Sequence, residues 1–289
     1  MKCTSMKRIA SLLIAALMAA ACSNDAPDTP PAEPPRPTMN VQDSLAIVAF
    51  YHAMKCGEWK EPFHWDLTDY ETWGGITAVR DAEKNEYRIT EIEVPDAEEY
   101  LPDGYYLPSE LGDLTRLRSL TVWGDGRMTG EIPKELFDCP LENLYIVAKA
   151  NYQTRKGLYG SIPKEIGNVA GTLKWLKISG TNIGGEIPEE IGKLQKLRTT
   201  VYLYDNEFTG KVPLVFRELP VTVDLYGNDY TEMEWQYFTE DIGFIPFLND
   251  NRLSGEIPEE VFKSERWKEQ NNRVANQQKG YGYEEKYFN

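Results

Sequence analysis

The sequence predicts an α/β solenoid of stacked coils, each with a short parallel strand and a short helical turn. Three observations predict it. An apolar residue followed by proline recurs at Leu107-Pro108, Ile132-Pro133, Ile162-Pro163, Ile187-Pro188, Val212-Pro213 and Ile257-Pro258, with proline spacings of 25, 30, 25, 25 and 45. Ahead of the last five stands a glycine at a constant offset (Gly130, Gly160, Gly185, Gly210, Gly255), and two places before it an apolar residue (Met128, Leu158, Ile183, Phe208, Leu253). Upstream of these lie short stretches in which two apolar residues are separated by one outward residue, such as Leu120-x-Val122, Leu144-x-Ile146, Leu176-x-Ile178, Val201-x-Leu203 and Val223-x-Leu225. A strand so short buries its apolar pair and satisfies its backbone only when copies stack side by side.

Taken in chain order, the N-terminus is an address. Lys7 and Arg8 precede the apolar run Ile9 to Met18, which ends in Ala19-Ala20-Ala21-Cys22. A basic start, an apolar run too short to span a bilayer and a small-residue cleavage site predict a secretory signal over residues 1–21. Its ending resembles a bacterial lipobox, with Ala19 where leucine is usual, and this implies lipidation of Cys22. From Ser23 to Asn40 six prolines and almost no large apolar residue predict an extended tether over 22–40, reaching roughly 55 Å at about 3.1 Å per residue. A doubly acylated Cys22 would hold the chain stably on a membrane. The expected location is the cell envelope, as an outer-membrane lipoprotein facing either the periplasm or the cell surface.

Within each repeat the connecting residues have physical reasons. Asn206, Asn228 and Asn251 follow three residues after the last inward strand residue, with Thr181 in the same slot. An amide there can satisfy buried turn groups that would otherwise cost about 1–3 kcal/mol each. Proline starts a short helical turn with φ already set, and Glu189-Glu190 and Glu259-Glu260 stand at its electropositive start. The string Asn206-Glu207-Phe208-Thr209-Gly210-Lys211-Val212-Pro213 and its relatives resemble the plant-type leucine-rich repeat, N-x-L-x-G-x-I-P. The resemblance covers about residues 41 to 263 and implies a right-handed superhelix with the parallel β-sheet on its concave face, short 3-10 or helical turns on its convex face, and a helical N-terminal cap. Gln42 to Phe50, Trp65 and Trp73-Gly74-Gly75-Ile76 resemble that family's N-terminal cap, without its usual cysteine pair. The predicted organisation is a cap over 41–87, about seven repeats over 88–263, and a C-terminal cap or tail over 264–289. The first repeats carry an extra residue near Trp123-Gly124-Asp125 and an insertion from Ala148 to Lys156. The copy after Leu225 lacks the proline and runs through Glu234-Trp235-Gln236-Tyr237-Phe238.

The resemblance implies that ligands use the outward positions of the parallel strands. Those positions are Glu91 and Glu93; Ser119, Thr121 and Trp123; Asn143, Tyr145 and Val147; Trp175, Lys177 and Ser179; Thr200, Tyr202 and Tyr204; Thr222, Asp224 and Tyr226; Phe247 and Asn249. The candidate ligand-binding residues are Trp123, Tyr145, Trp175, Lys177, Tyr202, Tyr204, Asp224, Tyr226 and Phe247. Large rings on a solvated face are enriched in binding hot spots; they also suit parallel strands as neighbours that cover one another.

Composition and chemistry narrow the function. The net charge is −15, and loss of Lys2, Lys7 and Arg8 with the signal takes it to −18, which repels phosphate backbones and excludes nucleic acid as a natural partner. Contact with a membrane is expected only through the anchor. The two histidines, His52 and His64, have no nucleophile at a recognisable spacing, and no phosphate loop or metal-spaced cluster occurs, so neither catalysis nor a cofactor is implied. Cys56 and Cys139 lie far apart in sequence, free or paired. The expected function is non-catalytic binding of a protein or peptide on the concave face. A carbohydrate-binding adhesin and an inhibitor of a secreted hydrolase are the alternatives.

Overall fold

The computed structural model describes residues 38–60, 65, 73–94, 102–124, 127–148, 157–240 and 243–288. The signal segment, Cys22, most of the proline-rich segment, His64 and nearly all of the insertion expected at 148–156 lie outside the described residues.

The chain enters through β1 (Thr38–Met39) and α1 (Val41–Ala53), followed by the antiparallel hairpin of β2 (Ile76–Asp81) and β3 (Glu86–Val94). The Asn40 side chain caps α1 by accepting from the backbone of Gln42 and Asp43. Asp43, fully buried, ties that helix to β3: its carboxylate accepts from Nε and Nη2 of Arg88 at 3.1 and 3.0 Å and from the Ile89 amide at 2.7 Å. β3 runs across residue 87, so one strand ends the cap and starts the stack. The last residues of the expected tether, Thr38 and Met39, pair in parallel with Glu86 and Tyr87 of that strand.

Beyond the cap come β4 (Ser119–Gly124), β5 (Asn143–Ala148), β6 (Trp175–Ser179), β7 (Gly184–Gly185), β8 (Val201–Tyr202), β9 (Glu207–Lys211), β10 (Val223–Asp224) and β11 (Asp229–Glu232). The main sheet has eight strands, in the parallel order β1-β3-β4-β5-β6-β8-β10 with β2 paired to β3. Its register stacks Ile92, Leu120, Leu144 and Leu176 in one inward file and Val94, Val122, Ile146 and Ile178 in the next, all at 2% exposure or less. Each such side chain contributes roughly 1.5–3 kcal/mol by leaving water. That is the apolar alternation read from the sequence.

Opposite the sheet, 3-10 turns span Ser109–Asp113, Lys134–Asp138, Lys164–Val169, Glu189–Lys193 and Leu214–Glu218. The prolines sit one place earlier than expected, at the cap position, in extended conformation. Each offers its carbonyl to the amide three residues on, as Pro188 does to Ile191 at 3.1 Å. Proline suits this place because it must only accept. Gly112 and Gly192 lie inside these turns where the next coil comes close: a Cβ on Gly112 would stand 2.5 Å from the Glu135 carbonyl oxygen. In the coil without a proline the turn is α2 (Gln236–Thr239), whose Tyr237 hydroxyl donates to the Pro213 carbonyl at 2.6 Å.

The asparagine ladder is present. Asn228 Nδ2 donates to the carbonyls of Leu203 and Leu225, and its Oδ1 accepts from the Phe208 amide; Asn206 and Asn251 repeat the pattern. Thr181 completes the series by donating its hydroxyl to Asn206. A second, three-stranded parallel sheet, β11-β9-β7, forms along the flank from the backbone of the glycine-bearing segments.

The C-terminal segment contains α3 (Glu259–Phe262) and α4 (Glu265–Gln270), and beyond them it makes one further coil. Leu248 and Asp250 donate their amides to the carbonyls of Arg273 and Asn276, and Gly282 donates to Leu253. Gln277 takes the asparagine slot: its Nε2 donates to the Leu248 carbonyl and its Oε1 accepts from the Leu253 amide. Trp267, 1% exposed, closes the end against Trp235, Phe238 and Phe288.

Candidate functional site

Strand register sorts the outward residues into three rows. The lower row holds Glu91, Ser119, Asn143 and Trp175. The middle row runs Glu93, Thr121, Tyr145, Lys177, Tyr202, Asp224 and Phe247. The upper row starts with Trp123, Val147 and Ser179. It continues through Tyr204, Tyr226 and Asn249, whose carbonyls accept from the amides of Gly180, Asp205 and Gly227. All nine candidate residues therefore lie on the solvent face of the sheet, none of them buried. They do not form a single file: the rings divide among the three rows, with Tyr145, Tyr202 and Phe247 sharing the middle one.

Ser179 departs from expectation. It shares a row with Trp123 and Val147 yet is only 1% exposed. Its short hydroxymethyl group, next to Val147 and Tyr204, does not reach solvent.

The centre of the face is an aromatic and cationic cluster. Tyr202 and Tyr204 meet edge to face with centroids 6.1 Å apart, and the Lys177 ammonium stands 5.7 and 5.2 Å from their rings. Tyr202 and Tyr226 are the most open of the rings, at 37% and 40%. One place along the middle row, Asp224 accepts the Tyr226 amide at 3.1 Å. Burial pushes the Asp224 carboxyl above the usual range; that amide and the Lys177 charge oppose the shift. Burial likewise raises the phenols of Tyr145 and Tyr226, the second helped by the nearby carboxylates of Asp250 and Asp205. Lys177 and Asp224 take part in no ion pair among the described residues.

Two contributors were not read from the sequence. Arg198 packs its guanidinium 5.9 Å from the Trp175 ring. Arg273 comes from the last coil to lie 4.0 Å over Phe247, donating also to the Ile245 carbonyl and the Thr222 hydroxyl. Asn249, already expected on the outward face, spends its amide on the carbonyls of Asn272 and Ala275. The signal that could have found Arg273 is Gln277, had it been recognised as an asparagine substitute marking another coil. Glu91 and Glu93 stand exposed at the other end of the face.

Among the described residues no group of three or more His, Cys, Asp or Glu side chains gathers as a metal site, and no helix is long and apolar enough to cross a membrane. Cys56 and Cys139 are buried and unpaired.

The family model described as Leucine Rich Repeat matches residues 172–194. No curated protein matches the sequence. Among solved structures, the chain is similar to a plant ice-binding protein, with TM-score 0.57 and 23% identity over 76% of this chain and 66% of that one. It is also similar to the leucine-rich-repeat ectodomain of the receptor kinase SOBIR1 from Arabidopsis thaliana, with TM-score 0.50 and 21% identity over 68% of this chain and 98% of that one. At such identities the likeness concerns architecture. The strand stack, the proline-capped turns, the polar ladder and the matched repeat agree, and the fold is that of the plant-type leucine-rich-repeat solenoids.

Proposed function

We propose that this protein is a non-catalytic binding module that captures an extended peptide segment of a partner protein across the open face of its main sheet. The observation that carries the reading is the middle row, in which Tyr145, Lys177, Tyr202 and Asp224 stand in register on β5, β6, β8 and β10 and Phe247 bridges to Asp224 beyond them. Rings and charges held on a rigid sheet lose little entropy on binding. The seven parallel strands present about 29 Å of width and three outward residues about 15 Å, so the face offers roughly 450 Å². That is below the ~800 Å² per partner of a standard protein interface, and it favours a narrow ligand.

A peptide array probed with residues 38–289 tests the reading. The Tyr202→Ala/Tyr226→Ala double variant should lose at least about tenfold in affinity for any hit, with an unchanged circular dichroism spectrum. Hits that ignore both substitutions would remove the face from consideration. The exposure of those two rings favours a second reading, stacking on sugars, which a glycan array with the same variant distinguishes.

The proposal includes attachment to the cell envelope through a lipidated Cys22, supported by the Ala19-Ala20-Ala21-Cys22 ending and the prolines that follow. Incorporation of a labelled fatty acid should vanish in Cys22→Ala, and a labelled Cys22→Ala chain would refute it.

A further inference from the structure

We infer that the middle row receives the proline-rich segment of a neighbouring copy of this chain, with that copy's Glu33 against Lys177 and its Arg36 against Asp224. The inference rests on the binding role proposed for the same face and names the occupant.

The row alternates in kind: Tyr145, Lys177, Tyr202, Asp224, Phe247. A ring recurs every second strand, and so does a charge, which makes the repeat about 9.6 Å. A polyproline II helix turns once in three residues of about 3.1 Å, bringing residues i and i+3 to one side at about 9.3 Å. A ligand in β conformation repeats on one side every ~6.8 Å and falls out of step after a single interval. The row is therefore cut to the pitch of polyproline II, with ring faces of the kind on which proline-rich ligands pack. A ligand in step with it and running from β6 towards β10 carries an acid at one position and a base three residues later, since Lys177 precedes Asp224 by two strands. Neither charge is engaged in an ion pair among the described residues.

This chain contains such a ligand. Glu33-Pro34-Pro35-Arg36 places a carboxylate and a guanidinium three residues apart, and its Pro-Pro pair is the one in the sequence flanked by opposite charges. Reach decides whose segment it is. Thr38 is held on β1 by its pairing with Glu86 of β3, and β10, which carries Asp224, lies six strands along the sheet from it, about 29 Å away. Arg36 precedes Thr38 by two residues and can extend only about 7 Å from it. A copy cannot seat its own segment, whereas a neighbour's can lie along the row from β6 to β10. Such contacts join unlike surfaces and run head to tail.

The test titrates a synthetic peptide of residues 27–38 into a chain beginning at residue 38, whose buried apolar core lies wholly within residues 46–287 and so is retained. The native peptide should bind below about 1 mM. Exchanging its charges (Glu33→Arg with Arg36→Glu), or inserting one proline between them, should each weaken it at least tenfold. On the Lys177→Glu/Asp224→Lys variant the preference should reverse, the exchanged peptide binding better than the native one. The peptide arms use unaltered protein, so they decide the question even if that variant does not fold. Equal binding of native, exchanged and lengthened peptides, or binding of none, overturns the inference. If other array peptides then still lose affinity in Tyr202→Ala/Tyr226→Ala, the binding role stands without this occupant; if they do not, both fall.

Discussion

Asn228 shows how much one side chain does inside a coil. It serves four backbone groups in two successive coils, the Tyr226 carbonyl at 3.3 Å among them, and it is fully buried. Asn228→Ala leaves the Phe208 amide and the carbonyls of Leu203 and Leu225 without these partners, away from water. The expected loss is about 3 kcal/mol in urea unfolding, more than any single hydrogen bond contributes. Asp224 presents the opposite case. Burial holds its carboxyl above the ordinary value, so the folded state binds the proton more tightly than the unfolded chain does. Its contribution to stability is complete below the unfolded pKa and is lost as pH rises through the folded one. Asp224→Asn should accordingly raise the urea midpoint at pH 7, and the advantage should disappear near pH 3.

At the scale of elements, the two ends of the stack are closed by different chemistry. The N-terminal end relies on the Asp43–Arg88 ion pair, with Thr115 accepting a further bond from the guanidinium. Asp43→Ala leaves Arg88 without its main partner and should cost about 3–5 kcal/mol. The C-terminal end relies on Gln277. Gln277→Ala should speed amide hydrogen exchange at Leu253 and throughout the last coil by at least tenfold, while the exchange of β4 and β5 stays as it was. The same elements show what could be read beforehand. Proline spacing and the Leu120-x-Val122 kind of alternation report side-chain burial, so the main sheet, its outward residues and the 3-10 turns were legible. β7, β9 and β11 were not, because they are joined through backbone groups and three of their residues are glycines; no apolar alternation of the main-sheet kind marks them. The last coil was hidden for a related reason. It has no G-x-I-P, and a glutamine with one more methylene reaches the carbonyls that asparagine reaches elsewhere. Ser179 stands on the outward side as expected, yet it is covered, because alternation tells which side of a strand a residue belongs to while its exposure depends on the size of its neighbours.

For the whole molecule, the decisive fact is that contacts run between adjacent coils. Asp43 and Gln277 share no partner among the described residues. Their substitutions should therefore add, the double variant losing the sum of the single losses within about 0.5 kcal/mol while unfolding stays two-state. A larger discrepancy would mean that the ends communicate. The net charge of −15 acts on every coil at once, and raising salt from about 0.02 to 0.5 M should increase Tm by screening self-repulsion. The two buried sulfurs offer a way to watch these events. Cys139, pushed up to about 12 by burial, gives its hydrogen to the Leu111 carbonyl beside the second of the 3-10 turns, and Cys56 is raised further still within the cap. Neither is a nucleophile until the structure around it opens, so each works as a clock. In a slow alkylation time course the sulfur that is modified first tells whether the cap peels away before the coils part or the two come undone together.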